Sequence, residues 1–551
     1  MPGSGQLKFF SNHWLSLVTV CMLAFSGTPT PLHAQIYTDL HDFDCTVEGC
    51  SPTYPEVLAQ GRDGNLYGTA RNGGTSNMGT VFKITPSGSI TTLYNFSGTD
   101  GANPEGGLSL GLDGNFYGTT ILGGANNLGT IFKVTPAGVL TTLHTFVGSD
   151  GSGPIGAPVL GKNGSFYGTT CGFNPPWTGY SITSTGVFKT LNSGTPPCSF
   201  APFSLGNDGN LYGTSQVGGL TYQGTVFRMT PSGTITVLYN FDYTHGAYLY
   251  SPVVAGNDNF LYGTTSGGGS GQGGVVFKLS AGGQITLLHQ FDVNSLTDGE
   301  VPYAGLVAAS DNKLYGATTG GRNAGSVPWG NLFEVTRTGG YSWPYAFDNT
   351  HGSLAQATPM QHTNGKIYGV TERGGGPNGN LDGGVVYSLD NGLPKFVALV
   401  NRWGTSGQVV QILGQGLTGT TSVKFGTVSA TFKVYADTFM TATIPADGVT
   451  GFITVSTPSG ALTSSRPFNI VPVINSFTPT SGPVGTVVTI TGSGFNGATV
   501  ITFGGVKATS FTVNSGTQIA ATVPTGALTG KIGVKAPGGS AASATVFTVT
   551  P

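Results

Sequence analysis

The chain has 551 residues, of which 92 are glycine and only 8% carry charged side chains. Such a composition favours short strands and tight turns over helices, so we expect an all-β protein. The net charge is −2, and the 22 Lys and Arg residues form no basic run. Because binding of phosphates needs clustered positive charge, nucleic acid is not expected as a partner.

The first 34 residues have the pattern of a secretory signal peptide. Lys8 precedes the apolar run "LSLVTVCMLAFSG" (15–27), which is too short to span a membrane, and polar residues follow it. We expect cleavage after Ala34, to within several residues, and export into an oxidising compartment. No integral membrane segment is expected once the signal is removed.

The cysteine count favours disulfides. Cys21 leaves with the signal peptide, and an even number remains: Cys45, Cys50, Cys171 and Cys198. Two local pairs, Cys45 with Cys50 and Cys171 with Cys198, are the simplest of three possible connectivities. Free thiols or a metal site are the alternatives, but the cysteine spacing is not of the CxxC kind.

One short sequence recurs along the chain. Variants of "DGNLYGT" (63–69) occur in seven copies, with the tyrosine at Tyr67, Tyr117, Tyr167, Tyr212, Tyr262, Tyr315 and Tyr368. A period of about 50 residues is typical of propellers and other repeat folds.

Each unit holds four short segments of strand type. In the second unit these are "GLSLGLDGN", "FYGTT", "GTIFKVTPAG" and "VLTTLHTF", separated by Asp-Gly, Gly-Gly or Pro-x-Gly turns. Asp-Gly between two such runs predicts a hairpin, because both central residues need positive φ. The tyrosine that follows is expected to pack between neighbouring sheets and to hydrogen-bond through its hydroxyl.

The two ends of the repeat region complement each other. Third-strand segments occur seven times, ending at "VVYSLDNG" (385–392), whereas only six fourth-strand segments follow them. The missing one, "IYTDLHDF" (36–43), precedes the first full unit. Pairing it with the last unit would close a ring, whereas an open solenoid gives no reason for such complementation. We therefore predict a seven-bladed β-propeller over residues 35–392, closed by an N-terminal strand.

The motifs "DGNLYGT", "GTVFKITPSG" and "TLYNF" together resemble the GloVer-type tandem-repeat proteins of exported bacterial chains, over about residues 36–392. The resemblance implies secretion or a location at the surface of a bacterial cell, and it brings no settled activity. The third unit departs from the pattern between Cys171 and Cys198, where "GFNPPWTGYS" replaces the usual Gly-Gly loop.

Two further domains follow Gly392. Residues 393–472 and 473–551 align on each other, with "GQGL" in the first matching "GSGF" in the second. The second domain begins with "INSFTPTSGPVGTVVTITGSGF" (474–495), which resembles the opening of an IPT/TIG domain and implies an immunoglobulin-like β-sandwich. In the first, "NRWGTSG" replaces "PTSGPVG", so the match is weaker. The resemblance implies spacers or interaction modules.

Six of the loops between fourth strands and the next unit carry an acidic residue or histidine directly before glycine. These residues are Glu48, Asp100, Asp150, His245, Asp298 and His351. In a ring they would lie at similar radius on one face, where they could bind calcium or a hydroxyl-rich ligand. The alternative is that each residue shapes its turn and caps backbone N–H groups. No specific motif indicates a metal or another cofactor.

A second candidate set is aromatic and consists of Trp177, Tyr180, Tyr248, Tyr250 and Trp329. Exposed rings can stack on the faces of sugars, but packing between blades explains aromatic residues equally well.

We expect an exported, non-enzymatic binding or surface-interaction protein whose partner is a carbohydrate, another extracellular polymer or a surface protein. No G-x-S-x-G elbow lies between a strand and a helix, and no carboxylate pair is singled out. Two alternatives are a polysaccharide lyase or hydrolase, with His245 or His351 as base near Asp298, and a purely structural extracellular scaffold.

Overall fold

A computed structural model describes residues 35–52, 58–172, 177–193, 201–295, 298–320, 329–375 and 383–551. These residues form strands joined by turns and contain no helix, which confirms the all-β prediction. It follows that none of them belongs to a helix able to cross a membrane. Residues 1–34, the predicted signal peptide, lie outside the described residues.

Seven antiparallel sheets of four strands each lie in the described part of residues 36–390. Sheets 1 to 3 consist of β2 (Ala59–Gln60), β3 (Leu66–Ala70), β4 (Thr80–Ile84) and β5 (Ile90–Asn95); β6 (Ser109–Leu110), β7 (Phe116–Thr120), β8 (Thr130–Val134) and β9 (Leu140–Thr145); and β10 (Val159–Leu160), β11 (Phe166–Thr169), β12 (Thr178–Ile182) and β13 (Phe188–Ser193).

Sheets 4 to 6 continue the same order. They consist of β14 (Ser204–Leu205), β15 (Leu211–Ser215), β16 (Thr225–Met229) and β17 (Ile235–Asn240); β18 (Val254–Ala255), β19 (Leu261–Thr265), β20 (Gln272–Leu279) and β21 (Ile285–Asp292); and β22 (Val307–Ala308), β23 (Leu314–Ala317), β24 (Asn331–Val335) and β25 (Tyr341–Ala346).

Sheet 7 joins the two ends of the repeat region. It contains β26 (Met360–Gln361), β27 (Ile367–Val370), β28 (Val385–Asp390) and the N-terminal β1 (Ile36–Asp42), which pairs antiparallel with β28. Tyr37 of β1 stacks on Tyr345 of sheet 6, with ring centroids 3.6 Å apart. The prediction that the N-terminal segment completes the last sheet is confirmed.

A hydrophobic core fills the gap between each sheet and the next. Six of these cores follow the chain from sheet 1 to sheet 7. A further core packs sheet 7 on sheet 1, through Tyr368 and Val370 against Phe82 and Ile84. Because the last sheet packs on the first, the repeat region forms a β-propeller and not an open solenoid.

The repeated tyrosine lies in these cores, as predicted. Tyr67 stacks on Phe116 of the next sheet, with centroids 4.0 Å apart, while its hydroxyl donates to Asp63 in its own hairpin tip at 2.8 Å. Gly64 in that tip has a φ of 76°, a conformation that glycine adopts without strain. Each "DGN" tip is thus tied to its own strand and, through the ring, to the neighbouring sheet.

Two β-sandwiches follow the propeller. The first contains β29 (Ala398–Leu399), β30 (Trp403–Gly404), β31 (Val409–Leu413), β32 (Ser422–Phe425), β33 (Val428–Ala430), β34 (Phe432–Ala436), β35 (Phe439–Thr443), β36 (Ile453–Thr457), β37 (Gly460–Thr463) and β38 (Asn469–Ile470). The second contains β39 (Val473–Thr478), β40 (Ser481–Gly482), β41 (Val487–Ser493), β42 (Val500–Phe503), β43 (Val506–Lys507), β44 (Phe511–Ser515), β45 (Gln518–Thr522), β46 (Gly530–Ala536) and β47 (Gly539–Val549).

The two sandwiches share one strand order. The sheet β29-β31-β35-β34 of the first corresponds to β39-β41-β45-β44 of the second, and β33-β32-β36-β37 corresponds to β43-β42-β46-β47. Each sandwich has its own core, around Phe425 in the first and Phe503 in the second. The shared order supports the duplication that the sequence indicated.

The first sandwich packs against the hairpin tips of the propeller. Arg62, next to the first tip, donates to the Gln411 side chain at 2.7 Å, and its carbonyl accepts from the Thr438 hydroxyl at 2.7 Å. Residues 35–551 form one compact unit. This contact occupies the hairpin-tip end, whereas the loops at the opposite end of the propeller strands lie away from it, and loops held by a rigid scaffold commonly carry binding residues.

Candidate functional site

The six residues of the predicted polar ring each hydrogen-bond within their own loop region. In four loops the partner belongs to the fourth strand, in the pairs His41–Glu48 (2.6 Å), Tyr94–Asp100, His144–Asp150 (2.9 Å) and His289–Asp298 (2.8 Å). In the other two, the histidine pairs with an aspartate three residues earlier, as Asp242–His245 (2.9 Å) and Asp348–His351 (2.8 Å).

The backbone at these positions also serves the fold. The carbonyls of Glu48, Asp100 and Asp150 accept hydrogen bonds from the hydroxyls of Thr80 (2.7 Å), Thr130 (3.2 Å) and Thr178 (2.9 Å). In the described part of the chain, no three His, Cys, Asp or Glu side chains come together as a metal site would require. The structure therefore gives these residues local turn roles, and ligand binding by them stays a prediction.

The geometry does not assemble the catalytic group considered from the sequence. His245 follows sheet 4, Asp298 follows sheet 5 and His351 follows sheet 6, and each is paired inside its own loop. The Asp298 carboxylate bonds to the His289 ring and accepts from the Asp292 backbone N–H, and neither of the two proposed bases is among its partners in the described residues.

The aromatic candidates divide into buried and exposed rings. Tyr180 is fully buried in β12 and packs in the core between sheets 2 and 3, so the expectation that it contacts a ligand is wrong. Trp177 is half-buried and its indole donates to the Gly172 carbonyl at 3.3 Å. Tyr248 and Trp329 are 36% and 39% exposed, as stacking on a ligand requires.

The cysteines follow the prediction only in part. Cys45 is a free thiol, so the predicted Cys45–Cys50 disulfide is wrong. Cys45 lies in a turn, while the backbone of Cys50 is held in an antiparallel bridge to Asn72. Cys171 is disulfide-bonded, and its predicted partner Cys198 lies outside the described residues, so that pairing stays a prediction.

Two further positions of the repeat converge at the loop end of the propeller. One lies twelve residues before the repeated tyrosine, just ahead of the first strand, and the other lies four residues after it. First strands of neighbouring sheets contact each other, as β6 does with β10, so they surround the propeller axis. We call the larger side chains at these two positions the channel mouth; they are Arg71, Glu105, Ile121, Ile155, Gln216, Tyr250, Tyr303, Gln356 and Glu372, and the remaining described units carry Cys171, Ser266 and Thr319 at the second position.

One side of the channel mouth is charged and joins sheets 7, 1 and 2. Arg71 forms an ion pair with Glu105, with Nε and Oε1 2.8 Å apart, and Gln356 donates to Glu372. Burial raises the pKa of Glu105, and the charge of Arg71 opposes this rise. Burial likewise raises the pKa of Glu372, with Arg373 and Arg71 among the opposing groups.

The other sides are aromatic and apolar. Tyr250 and Tyr303, from neighbouring sheets, contact each other with ring centroids 4.5 Å apart and planes at 55°. Gln216 donates to the Tyr250 hydroxyl, and burial raises the pKa of Tyr250 to about 12, so the hydroxyl is neutral at pH 7. Ile121 and Ile155 pack together beside Trp177.

The sequence predictions included Tyr250 but missed the rest of the channel mouth. The two positions differ in residue type from unit to unit, so neither appears as a motif. A signal was nevertheless present, because aligning the units on the tyrosine places Glu105, Tyr250, Tyr303 and Gln356 in one column. The column also holds Pro55, Ile155 and Phe200, so most of its residues are large and polar or aromatic, and such residues four positions before a two-residue inner strand indicate side chains near the axis.

The sheet order and the channel mouth define a repeat-built β-propeller that carries a candidate site at its loop end. Residues 25–197 and 174–387 match the family described as the Gloeobacter/Verrucomicrobia repeat, and the chain belongs to this family. Residues 472–549 match the IPT/TIG domain. Both matches confirm the resemblances noted in the sequence.

Several solved structures are similar to parts of this chain. Virginiamycin B lyase from Staphylococcus aureus is 16% identical, with 64% of this chain and 99% of that chain covered and a TM-score of 0.44. A putative gluconolactonase is 11% identical, with coverage of 66% and 94% and a TM-score of 0.35. The surface glycan-binding protein PbSGBP-B from Prevotella bryantii is 19% identical, with coverage of 26% and 38% and a TM-score of 0.21.

At these TM-scores the similarities carry no argument about activity. No curated protein matches the sequence.

Proposed function

We propose that the protein is an exported binding protein whose channel mouth takes a carbohydrate or another hydroxyl-rich extracellular polymer. The supporting observation is the contact of Tyr250 with Tyr303 at the mouth, where both rings are half-buried and lie among amide and charged side chains. Aromatic faces pack on the apolar faces of sugar rings, and convergent polar groups fix the orientation of a ligand.

Several hydrogen-bonding groups lie in the same set. The amides of Gln216 and Gln356 each make one of the bonds described above and have capacity for more, because an amide offers two N–H groups and a carbonyl oxygen. The Arg71 side chain is 42% exposed although it is paired with Glu105. Part of its guanidinium is therefore available to ligand hydroxyls.

Export and an extracellular location belong to the same proposal. They are supported by the signal-type sequence of residues 1–34 and by the expectations attached to the repeat motifs. In this arrangement the two sandwiches present the propeller to its ligand, as spacers or as interaction modules, and fold alone does not decide between these roles.

Affinity electrophoresis of residues 35–551 in gels containing bacterial or plant polysaccharides tests the proposal. We expect at least one neutral polysaccharide to retard the protein, with or without a chelator, and Tyr303→Ala to abolish the retardation. Tyr435→Ala removes an exposed ring from the first sandwich and should change nothing. Unchanged retardation of Tyr303→Ala would contradict the channel mouth as the site. Sensitivity to the chelator would point instead to the Asp and His residues of the polar ring.

Glu105 and Glu372 support a glycoside hydrolase as a second candidate. A carboxyl group whose pKa is raised can act as general acid, and a second carboxylate serves as base or nucleophile. The same incubations should then release new reducing ends, which Glu105→Gln and Glu372→Gln would abolish and Glu48→Gln would not. Retardation without new ends favours binding, and neither signal favours the scaffold.

A further inference from the structure

A cavity of about 930 Å³, open to solvent, lies where the first sandwich meets the propeller. Its propeller side is formed by the ends of β6, β10, β14 and β18, away from the channel mouth, with Leu110, Leu160 and Phe203 among the lining residues. Its sandwich side includes Arg402, Trp403 and Arg466. The volume falls in the range of small-molecule sites, about 300–1,000 Å³.

The cavity carries positive charge without a carboxylate. Arg402, Arg466 and Lys162 line it, and no Asp or Glu belongs to the lining described. None of the ion pairs among the described residues includes Arg402 or Arg466. Asp258 is the acidic group near Arg466, and it pairs with Arg337 at 3.1 Å.

Both guanidiniums are positioned by the fold but incompletely bonded. Arg402 donates to the Asn207 side chain at 3.1 Å and to the Leu205 carbonyl at 2.8 Å, and it lies over the Trp403 ring at 4.8 Å. Among the described residues, the Arg466 side chain makes a single hydrogen bond, to the Ala255 carbonyl. A guanidinium has five N–H donors, so donors are left on both side chains.

Burial disfavours the charged forms of the two guanidiniums. Burial lowers the pKa of Arg402 to about 9, with a further contribution from Arg466, and burial lowers the pKa of Arg466 to about 10. Both side chains are half-buried, and both line the cavity. Docking of the two domains does not need this arrangement, since a neutral amide could donate to the same backbone carbonyls.

We propose that the cavity binds the carboxylate of an acidic sugar unit, held by the guanidiniums of Arg402 and Arg466. Guanidinium forks match carboxylates in geometry and charge, and they bind them strongly where water is partly excluded. The apolar side chains of Leu110, Leu160 and Leu205, which are half-buried and line the cavity, then face the carbon skeleton of the ligand. The saccharide part of this inference rests on the proposed function, whereas the anion site rests on the cavity alone.

Calorimetric titration of residues 35–551 with trigalacturonate, and with the neutral galactotriose as comparison, tests the inference. We expect trigalacturonate to bind and galactotriose to bind at this site at least about tenfold more weakly, because only the former carries carboxylates. Arg466→Gln and Arg402→Gln should each weaken trigalacturonate about tenfold or more. Lys531→Gln removes one exposed positive charge from the second sandwich and should have no effect.

Thermal melting shows whether the variants keep the contact between the propeller and the first sandwich. Trigalacturonate should raise the melting temperature of the wild type, because a ligand that binds only the folded state stabilises it. Without ligand, the Arg466→Gln protein should melt no lower than the wild type. Trigalacturonate should not raise its melting temperature. A ligand-free melt clearly below the wild type would show that Arg466 serves docking and would overturn the inference.

The remaining outcomes are also decisive. Equal binding of both trisaccharides, an unchanged affinity in Arg466→Gln, or equal stabilisation by inorganic phosphate would overturn the assignment to an acidic sugar. Binding of trigalacturonate that survives Tyr303→Ala but not Arg466→Gln would support this site even if the channel mouth proved inactive. Retardation by neutral polysaccharides without any trigalacturonate binding would support the channel mouth and remove the cavity site.

Discussion

The tyrosine hydroxyl and the hairpin tip explain why one short motif recurs along the chain. In five units the hydroxyl donates to the tip aspartate, in the pairs Tyr67–Asp63 (2.8 Å), Tyr117–Asp113 (2.8 Å), Tyr212–Asp208 (2.9 Å), Tyr262–Asp258 (2.5 Å) and Tyr315–Asp311 (2.7 Å). In the other two, Asn163 and Asn364 donate to the tyrosine hydroxyl. The bond recurs in every sheet because it links the hairpin tip to the tyrosine whose ring packs against the neighbouring sheet.

Tyr117→Phe should remove this bond while the ring stays stacked on Phe166, whose centroid lies 3.9 Å away. A hydrogen bond to a charged group contributes about 1.5–3 kcal/mol, and partial exposure of Asp113 lowers this, so we expect a loss of about 1 kcal/mol at pH 7. Urea unfolding of the wild type and of Tyr117→Phe measures this difference in the free energy of unfolding. The control is Tyr167→Phe, whose partner Asn163 is neutral, and the loss there should be smaller.

The same pair sets a pH dependence. Burial raises the pKa of Asp113, but hydrogen bonds from Asn115 and Tyr117 outweigh burial and hold that pKa below its usual range. A carboxyl group of this kind stabilises the fold fully above its unfolded pKa of about 3.9, and the stabilisation is lost as the pH falls through the folded pKa. The deficit of Tyr117→Phe should therefore shrink below about pH 4. An equal deficit at pH 7 and pH 3 would contradict the assignment.

Single residues also show where sequence reasoning ends. The polar ring was found by its spacing, yet its partners are side chains such as His144 and His289, which the register of the fourth strand brings next to the loop. Tyr180 was assigned to a loop because the third unit lacks the usual motif. It lies in a strand, opposite Gly168, at the place that Phe132 takes opposite Gly118. A missing motif therefore did not mean a missing strand.

At the scale of elements, closure of the ring depends on β1. Turn signals and alternation predicted the four-strand unit, and counting strands at both ends predicted the pairing of β1 with β28. The sequence could not show what else holds β1 in place. The Tyr37 hydroxyl donates to the His351 carbonyl at 2.6 Å, and Phe43 packs edge-on against Phe82 of sheet 1.

Removing residues 36–43 should sharply lower the melting temperature of the propeller. The deletion leaves β28 as an unpaired edge and takes Phe43 out of the core between sheets 7 and 1. Loss of a buried phenylalanine alone costs about 3–5 kcal/mol, and the lost pairing of β28 adds to this, so a fall of roughly 5 °C or more is expected for a domain of this size. Calorimetry would compare residues 44–551 with residues 35–551. An unchanged melt would disprove closure by this strand.

At the scale of the whole molecule, the first sandwich is held against the propeller by several contacts. Besides the Arg62 contacts, the Asn257 side chain donates to the Ser465 carbonyl at 3.2 Å, and Arg62 lies over the Phe439 ring at 4.7 Å. The second sandwich contacts the first through Asn496, which donates to the Asp447 carbonyl at 2.8 Å. The duplication in the sequence indicated both domains but not this difference, because docking depends on surfaces that come together only in the folded chain.

Two truncations separate the roles of the sandwiches. The chain of residues 35–472 keeps the docked sandwich, so its propeller should melt within about 2 °C of residues 35–551. The chain of residues 35–392 loses every contact that the first sandwich makes with Arg62 and with the hairpin tips. Its propeller should melt at least about 5 °C lower, because inter-domain hydrogen bonds and buried area no longer oppose unfolding. Calorimetry at one protein concentration gives both values. If both truncated chains melted like residues 35–551, the first sandwich would be a tethered spacer, and a cavity enclosed by it could not hold Arg402 and Arg466 in fixed positions for a ligand.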